Sequence, residues 1–233
     1  GKLNTNNLPT EETRGKLYYW MKEVIDITKP KIFIAENVKG LVNMGKIKDI
    51  IQKDFSHAND NGYIVLPPQI LHAGNYGVPE SRERVIFIGI RKDALKKGIE
   101  QTLKREHIPL NLYPYPQPSH NCTLKDNTLA SPVVLQDIFE RLKEPENSFD
   151  PSQRFYSKAK YMGTHCQGQK EVVMKNIGPT IRSEHHGNIE FRRLSSEHGG
   201  QYNNELKQGL KERRLTPREC ALIQTFPPDF QFV

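Results

Sequence analysis

The chain has 233 residues, of which 36% are hydrophobic, and its 16 prolines and 16 glycines indicate much irregular structure. Its 34 lysines and arginines exceed its 27 aspartates and glutamates, and the resulting net charge of +7 favours a polyanionic partner without proving one. Three widely separated cysteines argue against a disulfide framework, and no apolar run approaches the length of a membrane span, so we expect a cytoplasmic protein.

The first 91 residues alternate between helical and strand patterns. In chain order they predict a helix over 16–28, a strand over 31–36, a helix over 46–57, a strand near 62–71 interrupted by Pro67-Pro68, and a strand over 84–90. We expect the last two strands to pair in antiparallel fashion. The apolar face of the first helix is predicted to hold Leu17, Met21, Val24 and Ile27.

The texture of the chain changes near residue 105. Prolines alternate with leucines and tyrosines over 109–118, which favours extended backbone rather than helix. A short helix is predicted over 136–143, and the remainder up to residue 200 is polar and rich in turns. Near the end, Thr216 and Glu219 form a capping-box pattern with Pro217 at the first helical position, which predicts a helix there.

The first candidate site follows the apolar run at residues 32–35. That run ends in Glu36-Asn37-Val38 and then a glycine, which is typical of a buried strand that delivers a carboxylate and an amide to its carboxyl end. Ligands of open α/β sheets bind at such ends. The alternative interpretation is a strand followed by an ordinary polar turn.

The second candidate site is the start of the predicted strand at 84–90. Arg82 and Arg84 are two residues apart, so their guanidiniums project to one side if strand geometry already holds there. The pair could therefore act together on a ligand.

Four segments in this order resemble motifs of the DNA (cytosine-5) methyltransferases. They are Glu12-Thr13-Arg14-Gly15-Lys16-Leu17, the Glu36-Asn37-Val38 strand end, the Arg82-x-Arg84 strand start and Leu215-Thr216-Pro217-Arg218-Glu219-Cys220. The resemblance covers roughly residues 10–91 and 178–233. Within this family, the chain is similar to the restriction–modification enzymes of bacteria. It implies an α/β fold, namely part of a Rossmann-like methyltransferase sheet with flanking helices, plus a loop-rich target-recognition domain.

The resemblance also implies domain boundaries and site residues. Residues 1–91 would be the later half of the catalytic domain, 92–214 the target-recognition region and 215–233 a helix that joins it back. Glu36 matches the residue that gives a proton or a hydrogen bond to ring nitrogen 3 of cytosine. Arg84 matches the cation at the carbonyl oxygen of the same ring, and Arg82 would support the site nearby. Leu17 matches a position on the adenine side of the methyl donor S-adenosylmethionine. Where the family usually has glutamine, this chain has Glu80, which could pair with Arg82.

The resemblance implies double-stranded DNA as the partner, with a flipped-out target cytosine. Within the predicted target-recognition region, residues 178–193 are the best candidates for DNA contact. We expect Arg182 or the pair His185-His186 to include a base reader, and Arg192-Arg193 to be phosphate or structural contacts. A cognate restriction endonuclease would belong to the same system without direct contact, and DNA binding would associate the protein with the nucleoid.

The nucleophile of the family, the cysteine of a Pro-Cys-Gln tripeptide, is absent from the sequence. Cys122, Cys166 and Cys220 each stand in other surroundings, and Cys220 is expected to be a small buried residue of a helix. The spacing of His165, Cys166 and His185-His186 matches no zinc pattern, so we predict no metal.

We therefore expect a chain that lacks both ends of such an enzyme and is inactive alone. Two alternatives stay open at this point. One is a tRNA cytosine-5 methyltransferase, whose motifs are similar. The other is a non-catalytic DNA-recognition chain that needs a partner carrying the cysteine.

Overall fold

The computed structural model describes residues 18–43, 47–105, 107–157, 160–182 and 190–232. The chain forms two compact units, one made of the described residues up to Leu71 together with Glu83–Pro116, and the other of His72–Arg82 together with Gln117–Val233. The predicted boundaries at 91/92 and 214/215 differ from this division. No helix in the described ranges combines the length and the apolar character that crossing a membrane requires.

The first unit is built on an antiparallel sheet. Its elements are α1 (Tyr18–Thr28), β1 (Ile32–Val38), a 3-10 turn (Lys39–Asn43), α2 (Ile47–Ser56), β2 (Tyr63–Val65), β3 (Gln69–His72, which ends at the boundary), β4 (Glu83–Arg91) and α3 (Ile99–Leu103). The order of strands is β1-β4-β2, and β3 also pairs with β4. The predicted antiparallel pairing of the last two strands is confirmed, with Tyr63 opposite Arg91.

Strand β1 is buried on one face only. Phe33 and Ala35 are buried under α1 and α2, whereas Ile32 and Ile34 are 58% and 64% exposed. The expected buried strand is therefore half correct. The physical reason is that the second core of this unit, around Leu103 and the segment that follows β4, packs on residues of β2 and β4.

The buried face of α1 differs from the predicted one. Ile25 is buried and Tyr18 and Met21 pack against the same core, whereas Val24 and Ile27 are exposed. Leu17 lies outside the described residues. Positions 18, 21 and 25 form a helical stripe of their own, and the Tyr18 ring meets the ring of Phe55 on α2 edge-on, with centroids 6.2 Å apart. Two stripes thus compete in the sequence, and tertiary packing selects the one with the aromatic partner.

Residues 95–115 complete the first unit, which therefore extends beyond the predicted boundary at residue 92. Leu103 and Tyr115 are buried against Ile64, Leu66 and Ile88 of the sheet. The Tyr115 hydroxyl also donates to backbone carbonyls of the sheet region. Segments that share a hydrophobic core belong to one cooperative unit, so this stretch belongs with the sheet.

The second unit contains short elements joined by long loops. These are a 3-10 turn (Ala73–Tyr76), α4 (Leu135–Phe139), α5 (Pro151–Arg154), β5 (Phe191–Arg193), α6 (Asn203–Lys207), β6 (Arg213–Arg214) and α7 (Pro217–Ile223). The short helix predicted over 136–143 begins one residue earlier and ends at Phe139. The core of the second unit consists of Leu135, Phe139, Val172, Leu215 and Ile223.

Helix α7 begins as predicted. The Thr216 hydroxyl accepts a hydrogen bond from the Glu219 N–H at 3.0 Å, and the Glu219 carboxylate accepts one from the Thr216 N–H at 2.9 Å. This reciprocal capping box satisfies two donors at the helix start. Ile223 then packs against Leu135 and Phe139, so α7 belongs to the core of the second unit.

Candidate active site

Glu36 and Arg84 meet across the antiparallel pair of β1 and β4. Glu36 stands opposite Ile86, and Val38 stands opposite Arg84. Residues two apart on a strand share a face, so Glu36 and Arg84 are diagonal neighbours on the same face of the sheet. Their side chains form an ion pair with 2.6 Å between Arg84 Nε and Glu36 Oε1.

A second ion pair fixes the same strand ends. Lys39 begins the turn after β1, and its Nζ lies 2.9 Å from both carboxylate oxygens of Glu83, the first residue of β4. Between the two pairs, the Asn37 side chain accepts the N–H of Val38 at 2.8 Å. Sequence analysis did not single out Lys39 or Glu83, although both adjoin the quoted motifs. The register of the two strands is thus secured at the point where Glu36 and Arg84 meet.

The pair is accessible to a ligand. The Glu36 side chain is 50% exposed and that of Arg84 is 22% exposed. Glu36 is half-exposed because the face of β1 that carries it is the uncovered one. Among the described residues, Arg84 is the one charged partner of the Glu36 carboxylate.

The chemistry of this pair suits a planar polar ring. A carboxyl group accepts a hydrogen bond, or donates one when it is protonated, and a guanidinium donates in a fixed fork. Side by side, Glu36 and Arg84 present groups that can bind a ring in which a nitrogen is bonded to a carbonyl carbon. Both groups can therefore bind one such ring through neighbouring atoms.

A cavity of about 180 Å³ adjoins Glu36 on the helical side of the sheet. Apart from Glu36 and Asn37, the side chains that line it are apolar or aromatic, among them Tyr18, Met21 and Phe55. None of the lining residues is a cation. The cavity can take an apolar or ring-shaped part of a ligand, but it offers no cation to pair with a carboxylate.

Arg82 is placed differently from Arg84. Strand β4 begins at Glu83, so the strand geometry on which the expected projection of both guanidiniums to one side depends does not extend to Arg82. Its Nη1 is 3.6 Å from Glu80 Oε1 and 3.4 Å from the carbonyl oxygen of Ile181. The expected pairing of Glu80 with Arg82 is present.

The predicted nucleic-acid contacts fall into three groups. Arg182 is exposed, and its Nη1 donates to Gln167 Oε1 at 3.2 Å. His185 and His186 lie outside the described residues. Arg192 and Arg193 are buried.

The DNA-contact interpretation of Arg192 and Arg193 is corrected by their partners. Arg193 is 1% exposed, with its Nη2 2.9 Å from Glu144 Oε1 and its Nε 2.6 Å from Glu205 Oε2. Arg192 shares Glu205 at 3.3 Å. The alternative role of a structural contact fits this geometry, because the guanidinium of Arg193 is enclosed and already paired.

Cys220 lies in α7, and burial raises the pKa of its thiol to about 12. Burial likewise raises the pKa of Cys122 above its ordinary value. A thiol with a raised pKa is protonated at neutral pH and is a poor nucleophile. In the part of the chain that the structure describes, no three His, Cys, Asp or Glu side chains are grouped closely enough to hold a metal ion.

Comparison with known proteins agrees with these motifs. A family model described as C-5 cytosine-specific DNA methylase matches residues 4–233. The type II methyltransferase M.FnuDI of Fusobacterium nucleatum is 44% identical over 240 residues, which cover 95% of this chain and 61% of that protein. The type II methyltransferase M.BsuRI of Bacillus subtilis is 31% identical over 231 residues, covering 95% of this chain and 45% of that protein. The chain thus spans about half the length of these relatives.

A solved structure shows the same fold. A mutant of DNMT2 from Spodoptera frugiperda aligns with 100% of this chain and 67% of its own, at a TM-score of 0.55 and 18% sequence identity. The predicted fold class, an α/β chain with a Rossmann-like methyltransferase sheet, is confirmed by this likeness. The exposed carboxylate–guanidinium pair on β1 and β4 is therefore set in a methyltransferase fold.

Proposed function

Because the chain belongs to the family of C-5 cytosine-specific DNA methylases, we propose that it carries the cytosine-activating groups of an enzyme that methylates carbon 5 of cytosine in duplex DNA. The restriction–modification class of its relatives sets the biological context. The observation that supports the proposal most is the accessible Glu36–Arg84 pair at 2.6 Å.

The reaction needs an activated ring, because carbon 5 of cytosine is a poor nucleophile. A cysteine thiolate adds to carbon 6, and the electrons of the broken double bond are then available at carbon 5. S-adenosylmethionine supplies the methyl group as a sulfonium. After transfer, loss of the proton from carbon 5 and expulsion of the thiolate restore the ring.

Glu36 and Arg84 act on the ring itself. The carboxyl group of Glu36 donates a hydrogen bond or proton to ring nitrogen 3, which draws electron density away from carbon 6 and favours thiolate addition. The Arg84 guanidinium stabilises negative charge that develops on the neighbouring carbonyl oxygen. Their 2.6 Å separation lets the two side chains reach ring nitrogen 3 and the carbonyl oxygen of one base.

The described residues make only part of a site for S-adenosylmethionine. The cavity beside Glu36 accepts an apolar or ring-shaped portion, and it lacks a cation to pair with the carboxylate of that molecule. Leu17, the position matched to the adenine side, lies outside the described residues. S-adenosylmethionine is therefore proposed as the methyl donor because members of the family use it.

We also propose that the 233 residues alone transfer no methyl group. None of the three cysteines stands in a Pro-Cys-Gln tripeptide, and the pKa of Cys220, raised by burial to about 12, disfavours its thiolate. The active enzyme would be this chain together with the polypeptide that supplies the cysteine. We call this combination the active enzyme.

The proposed substrate is a flipped cytosine in double-stranded DNA, with Arg182, His185 and His186 as the proposed contacts. The exposure of Arg182, together with the net charge of +7, supports contact with a polyanion. The proposed site of action is the cytoplasm, on the nucleoid. A cognate endonuclease would share the recognition sequence without touching this chain.

The test is transfer of a radiolabelled methyl group to mixed-sequence duplex DNA and, separately, to tRNA, with nucleoside analysis of the product. We expect 5-methylcytosine in duplex DNA with the active enzyme and none with the chain alone. Label in tRNA but not DNA would replace the substrate. DNA binding without methyl transfer by any preparation would favour the alternative of a non-catalytic DNA-recognition chain.

A further inference from the structure

Glu80 is a buried carboxylate that the proposed chemistry does not use. It is 3% exposed, and its Oε1 accepts the backbone N–H of Ile181 at 2.7 Å. The same oxygen lies 3.6 Å from Nη1 of Arg82. One carboxylate oxygen thus holds both an arginine and a backbone segment that is about a hundred residues distant in sequence.

The two segments around Glu80 run side by side, and we call them the 79–82/178–181 ladder. Gly178 donates its N–H to the Pro79 carbonyl at 2.7 Å, and Ser81 donates to the Gly178 carbonyl at 2.8 Å. The Thr180 hydroxyl donates to the carbonyl of Ser81. The Arg82 guanidinium adds a longer bond to the Ile181 carbonyl. The ladder leads directly into Arg182, the exposed residue proposed to contact DNA.

The close approach depends on Gly178. A Cβ atom at this position would lie 3.0 Å from the Pro79 carbonyl oxygen and equally near the side chains of Leu135 and Ile223. Neighbours at that distance would have to move. The backbone is therefore arranged to bring the two segments together, and Glu80 is the charged group at their junction.

The hydrogen bond from the Ile181 N–H does not by itself explain why the residue at position 80 is charged. A neutral amide at this position could also accept the Ile181 N–H, because an amide oxygen is an acceptor. An amide cannot attract a guanidinium as an ion. The carboxylate therefore differs from an amide chiefly in its hold on Arg82.

Arg82 is held but not enclosed. Its side chain is 34% exposed, and with Glu80, Ile181, Arg182 and Gln224 it lines a cavity of about 490 Å³. Two arginines and an amide at one polar cavity suit a nucleic-acid backbone or base edge. Arg82 can thus contact a ligand in the cavity while Glu80 fixes its position.

We infer that Glu80 is a positioning residue for nucleic-acid binding, which fixes Arg82 at this cavity in a set relation to the Thr180–Arg182 segment. The inference rests on the proposed function, because it takes DNA as the ligand of the cavity. Glu80 itself touches no substrate. Its influence passes through the ion pair with Arg82.

The test compares Glu80→Gln, Arg82→Gln and the double variant in the active enzyme. Glu80→Gln keeps the shape and the bond to Ile181 but removes the charge. We expect the KM and Kd for duplex DNA to rise by roughly 3- to 100-fold, the span of coupling between contacting residues, with kcat close to that of the wild type. The double variant should bind no more weakly than Arg82→Gln alone. Glu146→Gln, which removes one exposed negative charge elsewhere in the second unit, should leave binding unchanged.

Two results would overturn the inference. One is wild-type KM and Kd for Glu80→Gln, and the other is a double variant in which the two losses simply add. A lower melting temperature with unchanged binding of the folded fraction would make Glu80 a purely structural residue and would equally overturn it. Failure of the wild-type enzyme to methylate cytosine would instead contradict the proposed function. The Kd of the variants for duplex DNA would still test the positioning role of Glu80.

Discussion

The Nε atom of Arg84 lies 2.6 Å from Oε1 of Glu36, across two strands whose register makes the residues diagonal neighbours. Both side chains retain contact with solvent, and an ion pair of this kind contributes only about 0–1 kcal/mol to folding. Stability therefore does not explain why a carboxylate and a guanidinium stand together at this strand end. Binding of a planar ring explains both groups at once.

Replacement of Arg84 by glutamine should separate catalysis from folding. The active enzyme with Arg84→Gln is expected to lose roughly 10²- to 10³-fold in kcat, as when one stabilising donor is removed from a developing negative charge. The matched control is Lys39→Gln, which breaks the neighbouring ion pair with Glu83 and removes the same charge. Equal rates for the two variants in single-turnover methyl transfer would show that Arg84 has no special role.

Removal of Arg193 should destabilise the second unit. Arg193→Met removes the enclosed guanidinium that joins Glu144 to Glu205, while those carboxylates keep Arg213 and Arg192 as partners, so we expect a cost of about 1–3 kcal/mol. Arg154→Met changes the same charge at an exposed position of α5 and should cost less than about 0.5 kcal/mol. Urea unfolding of both variants provides the comparison, and equal stabilities would argue that Arg193 is not part of a structural network.

The same network predicts a sensitivity to acid. Burial alone would raise the pKa of Glu144, but the charges and hydrogen bonds of Arg213 and Arg193 outweigh it and hold that pKa below the ordinary value of 4.5. The unfolded chain therefore takes up this proton more readily, and the resulting stability is complete above pH 4.5 and is lost as the pH falls through the folded pKa.

Urea unfolding between pH 7 and pH 3 measures this effect. Glu144→Gln should be less stable than the wild type at neutral pH and should lose less of its stability on acidification. The exposed Glu146 provides the control, and Glu146→Gln should follow the wild-type curve. Parallel curves for Glu144→Gln and the wild type would contradict the pairing.

Arg182 should read a base rather than only bind phosphate. Arg182→Ala is expected to cost about 1–3 kcal/mol of binding at one position of the recognised site. A phosphate contact would instead weaken all sequences alike and make the salt slope shallower by about one unit. A panel of duplexes at several salt concentrations distinguishes these outcomes, with the exposed Arg141→Ala as control. Unchanged affinity and preference would remove Arg182 from the interface.

Local sequence signals predicted the elements whose causes are local. The capping box of Thr216 and Glu219 lies within four residues, and α7 begins where it predicts. The buried face of α1 depended instead on the Tyr18–Phe55 ring contact, which no helical periodicity contains. Two apolar stripes were available, and only packing distinguishes them.

The candidate site shows the same contrast. The quoted motifs predicted Glu36 and Arg84, which the sheet register brings together over 48 residues of sequence. The sequence left Arg193 open between a phosphate contact and a structural contact, because its partner Glu144 lies 49 residues away and nothing near the arginine indicates it. A basic pair in a polar segment has the same sequence whether its charge faces DNA or a buried carboxylate.

Methyl transfer by Glu36→Gln tests the central claim most directly. Glutamine keeps the shape and hydrogen-bonding capacity of Glu36 but cannot deliver a proton to ring nitrogen 3. In single-turnover assays of the active enzyme we expect the rate of cytosine methylation to fall by about 10²- to 10⁴-fold, with an unchanged Kd for duplex DNA. Near-normal turnover would contradict the account, and Glu36 would then be an ordinary polar residue at the end of a strand.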